Sequence, residues 1–117
     1  MAFKFEGLIV WDKALELTLH VHNLTKTFPK DELYILTSQI KRATDSVALN
    51  IAEGSTGQSN DEFKRFLGYS IRSAIEVVAC LHIAKKRSLI EEEKFTFLYN
   101  ETETLIIMLQ ALKKSIQ

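Results

Sequence analysis

The sequence predicts an all-α protein: an antiparallel, up-down-up-down four-helix bundle that takes residues 1–117 as a single domain. Three observations predict it. Apolar residues recur at alternating steps of three and four along four separate segments, the period of one helix face. One proline and four glycines are too few to supply the turns of a many-stranded sandwich or barrel. The links between the periodic segments are short, which makes consecutive helices antiparallel neighbours.

The first helix is expected over about residues 8–27, where Val10, Ala14, Leu17, Val21, Leu24 and Phe28 form the stripe. Phe28-Pro29-Lys30-Asp31 ends it, because the proline ring disfavours helical geometry at the residue before it, and Asp31 offers a cap to the next helix. That second helix is expected over about residues 32–53, through Leu36, Ile40, Ala43 and Val47. Gly54 is then read as its stop, a position where a left-handed residue costs little.

After the polar loop at 55–59, Ser59 and Glu62 have capping-box spacing and start a third helix near Asn60. It is expected to run to about Lys86, with Phe63, Leu67, Ser70, Ile71, Ala74, Val77, Leu81 and Ala84 inside. Ser88 and Glu91 repeat the spacing ahead of a fourth helix over about residues 90–116. Glu91, Glu92 and Glu93 suit the positive end of its dipole, and Lys113 and Lys114 suit the negative end. Phe95, Leu98, Leu105, Leu109, Leu112 and Ile116 make its stripe.

Composition narrows the function classes. At 46% hydrophobic and 26% charged, the chain is an ordinary globular one rather than a disordered one. Fifteen basic residues balance fifteen acidic ones, so no global field attracts a polyanion, although a local patch remains open. The lone Cys80 excludes an internal disulfide, and the first seven residues are interrupted by Lys4 and Glu6 rather than forming an apolar leader. No run approaches the roughly 20 apolar residues of a membrane span, and the expected location is the cytoplasm.

Tests for chemistry return no catalytic residue, no metal site, no cofactor and no small-molecule substrate. A di-iron bundle needs Glu-x-x-His on two helices, and that spacing is absent. Glu16 and His20 are four apart, but His20 and His22 point to different faces, and His82 has no acidic partner one turn away. Cys80, flanked by Ala79 and Leu81, reads as a buried structural thiol. No glycine-rich phosphate loop follows a strand.

Three features remain. The second helix's seam, continued past Val47, lands on Asn50 and Gly54, so Asn50 is expected inside, either fixing helix register or sharing a site with Glu53 and the loop after it. Lys41, Arg42, Lys64, Arg65 and Arg72 are cations enough for a phosphate-reading patch, but Asp45 and Glu76 lie close enough in sequence to pair with them on a solvated face. The run from Leu105 to Leu109 is apolar around more than one turn, and Ile75, Val77, Val78 and Ile83 widen the stripe of the third helix. A single core needs one face of each helix, so the excess at Ile106, Ile107 and Met108 is expected to meet another subunit.

Several short stretches also carry a resemblance: Leu8-Ile9-Val10-Trp11 with Ala14, Leu24-Thr25, Phe28-Pro29, Leu36 to Ala43, and above all Asn50-Ile51-Ala52-Glu53-Gly54, followed by Glu62-Phe63 and Phe66-Leu67. Together they resemble the four-helix-bundle proteins encoded in intervening sequences of bacterial 23S ribosomal RNA genes, over nearly the whole chain. The resemblance implies an antiparallel bundle, a ring-like homopentamer and no enzymatic activity. The accessory proteins of diversity-generating retroelements are related to that family, and they imply an alternative role in binding RNA or DNA. Gly57 and Gln58 stand here where relatives often carry a basic residue, so any nucleic-acid binding is expected to be weak and salt-sensitive.

Overall fold

The computed structural model describes residues 2–117, so Met1 of the expected domain lies outside them. Four helices dominate: α1 (Ile9–Thr25), α2 (Ser38–Ser55), α3 (Asn60–Lys86) and α4 (Glu92–Ser115). Short 3-10 turns at Lys4–Gly7 and Lys30–Glu32 precede α1 and α2, and a π-helical turn, Leu33–Thr37, leads into α2. The principal neighbours are α1 with α2, α2 with α3, α3 with α4 and α4 with α1, which is the ring of an up-down-up-down bundle. The bundle measures 44 × 22 × 22 Å.

The core follows the predicted stripes closely. Val10, Ala14, Leu17, Val21, Leu24 and Phe28 are all buried, as are Leu36, Ile40, Ala43 and Val47. On α3 every expected residue is buried except Ile71, which is half-buried. On α4 Phe95, Leu98, Leu105 and Leu109 are buried, while Leu112 and Ile116 are only half-buried where the helix runs out. Thr102 completes the α4 stripe between Leu98 and Leu105. It is buried despite its hydroxyl because Oγ1 donates to the Leu98 carbonyl at 2.7 Å. Thr44 does the same to Ile40.

Three helix boundaries differ from expectation, for backbone reasons. α2 starts at Ser38 rather than near residue 32, and Asp31 does not cap it but lies within the 3-10 turn Lys30–Glu32, because the chain passes through that turn and the π-helical turn before the α-helix begins. Gly54 does not stop α2 in a left-handed conformation: it is a buried residue within the helix, and among the described residues no glycine has positive φ. Ser88 does not cap α4 either. It adopts φ 60° just past α3, where Leu89 N–H donates to Ala84 O at 2.9 Å and Ser88 N–H to Lys85 O at 3.1 Å. That is the arrangement in which a left-handed residue closes a helix C-terminus, usually a glycine. The N-cap of α4 is Glu91. Ser59 does cap α3, its Oγ accepting from Glu62 N–H at 3.1 Å, while the Glu62 carboxylate reaches back to Gln58 N–H.

By length and mean composition α3 is long and apolar enough to cross a membrane, although Arg72 and Glu76 interrupt it, so the expectation that no uninterrupted apolar run occurs stands. The same helix supplies Leu67, Ala74, Val77, Leu81 and Ala84 to the bundle core.

Candidate nucleic-acid interface: a basic groove between α3 and α4

Because α3 and α4 are antiparallel, the first half of α3 lies beside the last turns of α4. An open groove of about 1050 Å³ runs between them. Lys64, Arg65 and Arg72 line it from α3, and Lys113 and Lys114 from α4. No carboxylate is among its lining residues. A glycine inside a helix costs about 1 kcal/mol relative to alanine. At Gly68 a Cβ would stand 3.3 Å from Lys113 Nζ, the end of a flexible side chain that can give by a few tenths of an ångström, so the glycine brings Lys113 close to α3 without being required by it.

The cations are weakly neutralised. Lys64 lies 3.8 Å from Asp61, and Arg65 lies 3.8 Å from Glu62, both pairs joining residues three apart on α3. Exposed pairs at that separation contribute little. Among the described residues no carboxylate comes within 4.0 Å of Arg72, Lys113 or Lys114. The expected Arg72–Glu76 pair is absent because Glu76 instead accepts a hydrogen bond from Gln39 of α2. Tyr69, 43% exposed, also faces this groove. Its ring meets Phe66 edge-on at 5.4 Å, and the Arg65 guanidinium lies 5.7 Å from the Phe66 ring centre.

The structure therefore divides the five cations named from sequence. Lys64, Arg65 and Arg72 come together. Lys41 and Arg42 do not join them: both are exposed on α2, and Arg42 lines a separate groove of about 540 Å³ with Asp45, Asn50 and Glu53. Lys113 and Lys114 belong to the basic groove as well as suiting the negative end of the α4 dipole. A signal for them existed, since Lys64 and Lys114 are equally distant along the chain from the α3–α4 turn, which antiparallel helices bring side by side.

The other candidates also have definite places. Asn50 is half-buried rather than in the core seam, and its Nδ2 donates within its own helix, to Ser46 O at 2.9 Å and Ser46 Oγ at 3.0 Å. Ser73 of α3 donates to the same Ser46 hydroxyl at 3.1 Å, which links the motif to the neighbouring helix. Within Asn50-Ile51-Ala52-Glu53-Gly54, Ile51 and Gly54 are buried, Ala52 is half-buried and Glu53 is exposed. Ile106 and Met108 pack partly against the core, while Ile107 is 59% exposed. Val77 is a core residue, as the stripe of the third helix predicts, and so adds nothing to the apolar surplus.

Among the described residues no group of three or more His, Cys, Asp or Glu side chains could hold a metal ion. Cys80 is buried, and burial, with a smaller contribution from Glu76, raises its thiol pKa to about 11, so no thiolate nucleophile forms at neutral pH. His20 and His82 pack edge-on against aromatic rings, at 5.1 Å from Phe97 and 5.2 Å from Phe95.

Fold and groove define a class: an all-α four-helix-bundle protein with a basic surface groove in place of an enclosed pocket. The chain belongs to the 23S rRNA-intervening sequence protein family, whose model matches residues 6–111. It is similar to a solved structure from Bacteroides thetaiotaomicron, a protein of unknown function from the S23 ribosomal protein family. The TM-score is 0.85 at 25% identity, over 92% of this chain and 100% of that one. No curated protein matches the chain.

Proposed function

We propose that this chain is a non-enzymatic cytoplasmic protein that binds RNA or DNA in the α3–α4 groove. The observation that carries the reading is the groove's five cations with no lining carboxylate in a protein of zero formal net charge. A chain with fifteen acidic residues that keeps them all off one groove has a local field there, even though the whole molecule has none. The expectation of weak binding is kept, since five phosphate contacts are a modest number.

Titration of a fluorescein-labelled RNA with the full chain, followed by anisotropy at several salt concentrations, tests this. Binding is expected to weaken as salt rises, with a log–log slope of about −3, near the limit for five contacts to a single strand. Replacing Arg72 and Lys113 together with Glu is expected to abolish it. No binding at low salt would remove the reading.

A second reading, self-assembly, is supported by a separate groove of about 330 Å³ between the middles of α3 and α4. Ile75, Val78, Ile106 and Ile107 line it, with Ile75 and Ile107 more than half exposed. Side chains of that kind in water forgo roughly 1.5–3 kcal/mol each when fully buried elsewhere, and a closed ring covers one repeated contact without open ends. The family resemblance implies five copies, a particle of about 67 kDa from chains of 13.4 kDa. Light scattering after size exclusion is expected to show an oligomer, and Ile107→Lys to release subunits. A monomer mass for the unmodified chain would refute it.

A further inference from the structure

We infer that the α3–α4 groove takes single-stranded nucleic acid rather than a duplex, with one base stacked on Tyr69. The inference rests on the nucleic-acid reading of the groove and adds the form of its ligand. An aromatic side chain stands among the cations. A groove that only tracks phosphates needs no aromatic ring, and a duplex hides its base faces from one. Tyr69 is 43% exposed within the groove, flanked by Arg65 and Arg72 one turn to either side on the same face of α3.

The ring is also held in place. Phe66 packs against it in an edge arrangement with ring centres 5.4 Å apart, which limits its rotamer freedom while 43% of Tyr69 stays exposed. Gly68 and Ala111, the two smallest lining residues, keep the wall beside the ring low. Lys113 crosses at Gly68, so a backbone phosphate bound there lies next to a base on Tyr69. Cations along a track with a supported aromatic between them match the way sequence-tolerant single-strand sites work, where any base offers a π-face.

The shape of the groove points the same way. It lies between two helices of one bundle, and its cations line a recess rather than a ridge. A single strand with splayed bases enters such a recess. Reading a duplex through its base edges takes an element that enters one of its grooves, which a recess does not supply.

Anisotropy titrations of the full chain with a labelled 12-nucleotide RNA, the same sequence as DNA, and the matching blunt duplexes decide the matter. Single strands are expected to bind at least tenfold tighter than duplexes. Tyr69→Ala is expected to weaken single-strand binding roughly tenfold with little change in salt slope, and Tyr69→Phe to restore it. Arg72→Ala is expected to reduce the slope by about 0.7 instead. Circular dichroism melting of each variant separates loss of binding from loss of fold. Duplexes bound as tightly as single strands, or Tyr69→Ala binding like the unmodified chain, would overturn the inference while leaving the nucleic-acid reading in place. No binding of any of the four probes at low salt would overturn both.

Discussion

A Cβ placed on Gly54 would stand 2.6 Å from the Cβ of Phe66, closer than real side chains approach, so α2 and α3 meet at this point only because residue 54 is glycine. Phe63 crowds the same space at 3.2 Å. In an exposed helix Gly→Ala stabilises by about 1 kcal/mol. Here Gly54→Ala is expected to destabilise by about 1–3 kcal/mol, the usual cost of overpacking, because the neighbour is a Cβ fixed to the α3 backbone. Urea denaturation measures it, and a rise in stability would disprove the close-approach account.

Ser88 gives the opposite expectation. A side chain at φ 60° carries a steric cost of about 1 kcal/mol that glycine does not have. Ser88→Gly is therefore expected to raise stability by up to about 1 kcal/mol, seen as a higher melting temperature with an unchanged helical spectrum. A loss of stability would mean that the serine side chain contributes something the closing turn needs.

The Cys80 thiol makes stability fall at high pH. Its folded pKa is raised to about 11 by burial, above that of an exposed thiol near 9, so between those values the folded state holds a proton that the unfolded state has released. The contribution is fully present below pH 9 and is lost as pH rises towards 11, by about 2–3 kcal/mol at most. Denaturation of the chain and of Cys80→Ala at pH 8 and pH 10.5 tests the difference. Equal pH dependence in both would contradict it, as would rapid reaction of the native thiol with a disulfide reagent at pH 8.

Asn50→Leu is expected to change assembly more than stability. The Asn50 amide bonds only to Ser46, one turn back on its own helix, so its loss is expected to cost no more than about 1 kcal/mol. Its groove, shared with Leu49 at 59% exposure, is on the outside of α2. Size exclusion with light scattering and a denaturation curve read the two effects separately. A loss well above 2 kcal/mol with unchanged mass would place Asn50 among the residues that hold the monomer together.

Much of the fold was legible because helix burial repeats with a fixed period. Val10 to Phe28 and Phe63 to Ala84 could be placed inside from spacing alone, with Ile71 the one residue that sits at the margin of its stripe. Polar exceptions were harder. Thr102 fills a stripe position, but a hydroxyl is admitted there only through its bond to Leu98, which spacing does not reveal. Asn50 also sat on the seam by spacing, yet α2 is turned so that Ile51 and Gly54 occupy the inside and Asn50 the flank.

The four helices, their order and most of the core could be read from the chain alone, since these depend on period, punctuation and residue chemistry within about twenty residues. Only the tertiary structure decided why Gly54 is glycine and which cations act together. Whether a glycine answers to its own backbone or to a neighbouring helix depends on how close that helix comes. That Arg72 shares a groove with Lys113 while Glu76 accepts from Gln39 depends on the register of α3 against α4 and against α2. Those are distances between residues far apart in the chain, and no local pattern of residues specifies them.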